Sequence, residues 1–270
     1  MIIDFHTHVF PDLIAEKTVD FLAKQSNCVP STDGTISNLL SSMDINHIDR
    51  SIILPVVTKP SQFYSINEFA ETLNSYDNIT SFAGIHPSSE NYIEELYYIK
   101  EHGFLGIKLH PDYQHLYIED SLNVRLIKKA MELDLIIVIH AGVDIGYPSP
   151  VHCSPQGSAK MLDLIPNGLL SKVKIIFAHT GGYSQWDDVE KYLVGRPVYF
   201  DLSFSMGYIS DEQLIRIIRN HGASHILFAT YSPCQDQGYC ITYLNNLPLT
   251  STEKELIFYQ NALQLLTPSF

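Results

Sequence analysis

The sequence predicts a (β/α)8 TIM barrel, an α/β fold in which residues 1–270 form a single domain. Short runs rich in Ile, Val and Leu recur along the chain and alternate with segments of helical period, as in a parallel sheet covered by helices on both faces. Gly and Pro are scattered through short turns, and no low-complexity or Ser-rich stretch marks a linker between two domains. The alternative, an open doubly wound sheet, would carry a GxGxxG turn after its first strand, where His6-Thr7-His8 stands instead.

The elements follow in order. IIDFH, residues 2–6, opens the chain as the first strand, and SIILPVV (51–57) and ITSFAGI (79–85) supply the second and third. LGIKLH (105–110) and LIIVIH (135–140) are the fourth and fifth, each closed by a histidine. KIIFAH (174–179), VYFDLS (198–203) and HILFA (225–229) complete the set of eight. The clearest amphipathic helices lie in IEELYYIKEHG, LNVRLIKKAMELD, WDDVEKYL and DEQLIRIIRNHG, the last stopping at His221-Gly222.

Composition narrows the function classes. A net charge of −13 argues against nucleic acid, which needs clustered Lys and Arg. Cys28, Cys153, Cys234 and Cys240 form no CxxC pair and are too sparse for a disulfide framework, so a reducing compartment is expected. No apolar run approaches the ~18–20 residues of a membrane span. A cytoplasmic protein acting on a small molecule is the expectation, with association into a homo-oligomer left open.

The histidines that end the strands read as a metal site. His6 and His8, two apart on a strand, project to one face, and His140 and His179 close two further strands, in the region where barrels gather function. Asp4 either supports the His6/His8 pair on the same face or is a buried structural acid bonded to a neighbouring loop. His86, Lys108 and His110 also sit where a barrel opens and are expected to contact substrate. Lys108 could be carboxylated to bridge two metals, or stay cationic and hold a substrate carboxylate. Cys153 and Ser232 lack the strand-to-helix elbow of an activated nucleophile. Asp112, Asp144, Asp201 and Asp236 fall in or near strand-end loops and read mainly as caps or solvated residues.

Taken together, DFHTH, GIHP, GIKLHP, VIHAG, AHTGG, ILFATYSP and a C-terminal NALQLL resemble the amidohydrolase superfamily over the whole chain. The resemblance is to its metal-dependent TIM-barrel branch, which includes hydrolases and decarboxylases of the aminocarboxymuconate-semialdehyde type. It implies that His6, His8 and His140 bind one divalent metal, that His179 sits over the metal-bound water or substrate, and that the eighth strand supplies a catalytic Asp. Here Tyr231 holds that place. Zinc leads as the metal, with manganese, iron or nickel as alternatives, and occupancy is expected to be partial because imidazoles alone leave its charge uncompensated. Asp236 is the nearest carboxylate that could compensate. The leading expectation is a hydrolase of a small amide, ester or lactone, impaired or re-purposed by Tyr231, with His179, Tyr231 and Lys108 in the catalytic set. Decarboxylation of a small carboxylic acid is the alternative, and a non-catalytic binding protein the third reading.

Overall fold

In the computed structural model, which describes residues 1–26, 28–147, 149–170 and 174–267, every strand pairing is parallel. The strands are β1 (Ile3–Thr7), β2 (Arg50–Ile53), β3 (Ile79–Ser81), β4 (Ala83–Gly84), β5 (Gly106–Leu109), β6 (Ile136–Ile139), β7 (Ile175–Phe177), β8 (Tyr199–Asp201) and β9 (Ile226–Leu227). They follow sequence order in two ladders, β1 to β3 and β4 to β9. β3 and β4 are halves of one barrel strand, since the Phe82 N–H between them still donates to Ile53 O at 2.9 Å. The ring closes where Phe5 N–H donates to Phe228 O at 2.9 Å and His8 N–H to Ser232 O at 2.8 Å. All eight expected strands are therefore present. β2 ends before the expected Val57 because Pro55 has no N–H to give the ladder.

Side chains alternate between two apolar layers. Ile107, Leu109, Ile137, Ile139, Phe177 and Phe200 face the surrounding helices. Phe5, Ile52, Phe82, Val138, Ile176 and Leu227 fill the barrel, and Leu265 and Leu266 of the last helix, Asn261–Leu266, pack with them. Lys108, His140 and Asp201 lie past that apolar plug on the inward-facing parity. Among the described residues, no helix is long and apolar enough to cross a membrane.

Asp4 resolves as the structural acid, not as support for the histidines. It is fully buried and accepts from Thr230 N–H at 2.9 Å, the Thr230 hydroxyl at 2.6 Å and the Gln237 amide at 2.8 Å, fastening β1 to the segment after β9. The cause is a register shift between Asp4 and Thr7 that lets both Phe5 and His6 face inward and leaves Asp4 on the outer side. Burial raises its carboxyl to about 6 against the opposing pull of these donors. The folded state thus holds a proton that the unfolded chain, at 3.8, has released, and folding gains stability as pH falls from about 6 toward 4. Asp4→Asn should lose this gain. Its stability deficit, measured by urea unfolding, is expected to be larger at pH 4.5 than at pH 7.

Candidate active site and metal-ligand cluster

Four imidazoles at the C-terminal mouth are fixed by what their Nδ1 atoms face. His6 Nδ1 lies 2.9 Å from Asp201 Oδ2, His8 Nδ1 3.0 Å from Leu54 O, and His179 Nδ1 2.9 Å from Ser203 O. Each partner can only accept, so each Nδ1 carries the hydrogen and each Nε2 a lone pair. The His179 Nε2 lone pair accepts from His140 Nδ1 at 3.0 Å, which leaves His140 Nε2 bare as well.

Asp201 anchors this arrangement. Its carboxylate also accepts from His179 N–H at 3.1 Å, Ser203 N–H at 3.0 Å and the Ser203 hydroxyl. Burial pushes its carboxyl up, but His6, His179 and Ser203 outweigh that and hold it well below the usual carboxylate range. Lys108 Nζ donates to His6 Nε2 at 3.3 Å, completing a Lys108–His6–Asp201 relay along the barrel axis. The ammonium is 1% exposed, and burial brings it down to about 8 against the attraction of Asp201. Burial, then Lys108, lowers His6 to about 3, so it is a neutral imidazole at physiological pH.

Tyr231 turns into the mouth, its ring centroid 5.1 Å from His6, 5.0 Å from His8 and 5.2 Å from His179. A left-handed backbone (φ 71°) makes the turn, held by Tyr231 N–H donating to His6 O at 2.8 Å. Burial and then Cys234 raise the phenol well above its ordinary range, so it is neutral and no base. His179 and Thr180, with φ of 61° and 55°, are left-handed too. Such conformations cluster at functional sites. Gly142, next to the site, is required: a Cβ there would lie 2.1 Å from Tyr183 N.

A second group lies beside the first. His110 stacks on His140 with centroids 4.0 Å apart and planes 11° apart, and both direct Nε2 toward Asp144 Oδ2, at 3.4 and 3.9 Å. Asp112 Oδ2 is 3.7 Å from His140 Nε2. His140 Nε2 and Asp112 Oδ2 are buried without a hydrogen-bond partner among the described residues. Burial holds both imidazoles well below their ordinary range.

The expected residues are thus distributed unevenly. His6, His8, His140, His179, Lys108 and Tyr231 meet at the mouth. The donor atoms that converge within 4.8 Å among the described residues, however, belong to His110, His140 and Asp144, not to His6, His8 and His140. His6 Nε2 faces an ammonium instead. His110 sits in this convergent group, whereas His86 accepts from Ser88 N–H at 3.1 Å and has no ring contact or ion pair with the other histidines. Asp236 is exposed and caps its own helix, accepting from Tyr239 N–H at 2.7 Å, which removes it as a substitute for the strand-end carboxylate. The residues that sequence reasoning undervalued are Asp112, Asp144, Asp201 and Ser203. For Asp201 the signal was there: it shares the parity of Tyr199 on β8, and Tyr199 lies in the barrel.

The sequence profile of the amidohydrolase family matches residues 3–267. The chain belongs to the amidohydrolase family. Solved structures with the same fold include an uncharacterised TIM-barrel protein from Bordetella bronchiseptica, with TM-score 0.80, 13% identity, and 98% of each chain covered. A dihydroxybenzoic acid decarboxylase from Polaromonas, with manganese and the inhibitor 2-nitroresorcinol, gives TM-score 0.70 at 18% identity, covering 98% of this chain and 96% of that chain. A 5-carboxyvanillate decarboxylase from Novosphingobium aromaticivorans, complexed with manganese and 4-hydroxy-3-methoxy-5-nitrobenzoic acid, gives 0.74 at 12%, covering 98% and 95%. No protein of curated function matches the sequence.

Proposed function

We propose that this member of the amidohydrolase family is a decarboxylase of a small aromatic acid, with Lys108 as the group that receives the carboxylate. The observation that carries this reading is a buried ammonium beneath a mouth whose eighth strand tip offers the phenol of Tyr231 and no carboxylate. Hydrolysis needs a group that takes a proton from water. Tyr231 is a neutral phenol, and Asp201 is committed to His6, His179 and Ser203. Decarboxylation needs the opposite: a cation for the carboxylate and a proton for carbon.

Each part has a candidate. Rings of Tyr231, Phe204 and Tyr208 line up with centroids 5.4 and 4.8 Å apart, a wall on which an aromatic substrate can stack. Lys108 pairs with the carboxylate. When the bond from ring carbon to carboxyl carbon breaks, the electron pair stays on the ring carbon, which takes a proton from the ammonium as carbon dioxide leaves. Solvent then returns a proton to the amine through the mouth, where His8 and Tyr231 are partly exposed. His6 and Asp201 act as positioning residues, holding the amine on the axis. The metal expected in this family does not fit His6, His8 and His140 as they stand, because a cation there would meet Lys108 Nζ, 3.3 Å from His6 Nε2. No step is drawn through it.

The two decarboxylases of the same fold support this choice over the hydrolase reading. The test is incubation with a set of carboxyl-13C hydroxybenzoates beside matched phenyl esters, lactones and anilides. Labelled carbon dioxide with the decarboxylated phenol is the expected result. Cleavage of an ester, lactone or amide without carbon dioxide release would overturn it.

A further inference from the structure

The geometry points to a divalent-cation site built by His110 Nε2, His140 Nε2 and Asp144 Oδ2, with Asp112 Oδ2 as a fourth donor, beside the His6/His8 pair and separate from it. It stands apart from the choice of substrate above, because ion binding is read without turnover.

The first support is an imbalance of donors and acceptors. The hydrogen-bond chain from Ser203 O through His179 to His140 Nδ1 fixes the His140 tautomer and leaves its Nε2 a lone pair. That lone pair faces two carboxylate oxygens, at 3.7 and 3.9 Å, which are also acceptors. Asp144 meets the Tyr113 hydroxyl, but His140 Nε2 and Asp112 Oδ2 are buried with no hydrogen-bond partner among the described residues, and two such acceptors aimed at one another inside a protein want a cation between them. The remaining oxygens of both acids are occupied: Asp112 Oδ1 accepts from His152 N–H at 3.0 Å and His152 Nδ1 at 2.9 Å, and Asp144 Oδ1 from Gly146 N–H at 2.8 Å. These bonds hold each carboxylate with its other oxygen turned inward, as outer-shell support does at metal sites.

The spacing agrees. Bonds of ~2.1 Å at tetrahedral angles separate ligand atoms by roughly 3.4 Å, and His110 Nε2–Asp144 Oδ2, His140 Nε2–Asp112 Oδ2 and His140 Nε2–Asp144 Oδ2 are 3.4, 3.7 and 3.9 Å apart. Two nitrogens and two carboxylate oxygens suit zinc or manganese and neutralise the charge of a divalent ion, which the His6/His8 pair does not. One cost is visible. His110 Nδ1 accepts from Tyr113 N–H at 3.4 Å, and ligation through Nε2 moves the imidazole hydrogen onto that side. At that length little is lost.

The test uses the full-length protein stripped by chelator, titrated with Zn2+ and Mn2+ by calorimetry and with Co2+ by visible absorption. One ion per chain should bind, Asp144→Asn and His110→Asn should weaken binding by tenfold or more, and His8→Gln should leave affinity and Co2+ bands unchanged. Circular dichroism identifies any variant that fails to fold, and Asp112→Asn, with an intermediate loss, stands in for it. Binding abolished in His8→Gln but retained in Asp144→Asn would place the ion at the His6/His8 pair and overturn the proposal. So would absence of binding by the parent chain.

Discussion

Lys108→Met should lower kcat/KM for decarboxylation by about three orders of magnitude or more, since it removes both the partner of the carboxylate and the acid, each worth roughly a hundredfold or more. The pH profile of the parent makes the assignment specific. kcat/KM reports the free enzyme, in which the ammonium loses its proton at about 8, so activity should be level below that pH and fall above it. Lys108→Arg keeps a charge but not a titrating acid, and the basic limb should vanish along with most of the rate. Folding is not the cause. An ammonium brought from 10.5 to about 8 by burial weakens the folded state, with the cost full below pH 8 and gone above 10.5. Lys108→Met should therefore melt at or above the parent temperature at pH 7, as scanning calorimetry would show. A melting point well below the parent's would mean that the lost activity reflects unfolding.

Asp201→Ala should be the most damaging change to stability at the site, about 3–5 kcal/mol, because it strips a buried carboxylate from its donors. His6 Nδ1, His179 N–H, Ser203 N–H and the Ser203 hydroxyl all lose their acceptor. The folded carboxyl lies below its unfolded value, so its contribution is complete above pH ~4 and is lost only as pH falls through the folded value. Urea unfolding of parent and variant should differ by the same amount at pH 5 and pH 7, and the difference should begin to narrow only below pH ~4 and keep narrowing to the lowest pH at which the parent stays folded. Asp201→Asn keeps the shape but offers a single acceptor, and frees His6 to hold its hydrogen on either nitrogen. A margin that stays constant to the lowest pH at which the parent stays folded would mean that the loss comes from packing and not from charge.

Much of this was legible in the sequence, for reasons that differ by residue. The strands could be read because a parallel barrel buries both faces, so each strand is a short apolar run ending in a polar residue, as LIIVIH does. His140, His179 and Tyr231 could be placed because they terminate such runs. Asp4 was ambiguous because alternation alone puts it with His6, and nothing local announces the register shift that separates them. Asp112 and Asp144 lie two and four residues beyond their histidines in loops, where period carries no information, and only the stacking of His110 on His140 brings them together. Hydrolysis and decarboxylation share ligands on one fold, so strand pattern says nothing of the choice.

The left-handed turn at Tyr231 bears on the engineering of the chain. Aspartate and asparagine settle in that region of backbone space more readily than an aromatic residue, which is held there at about 1–3 kcal/mol. The main chain at the eighth strand tip therefore has a shape that aspartate or asparagine adopts more readily than tyrosine, and its tie to His6 O does not depend on the side chain. Substitution by aspartate calls for no remodelling of the loop. A single base change turns a Tyr codon into an Asp codon, so a carboxylate at this tip is one mutational step away on a backbone that already accepts it.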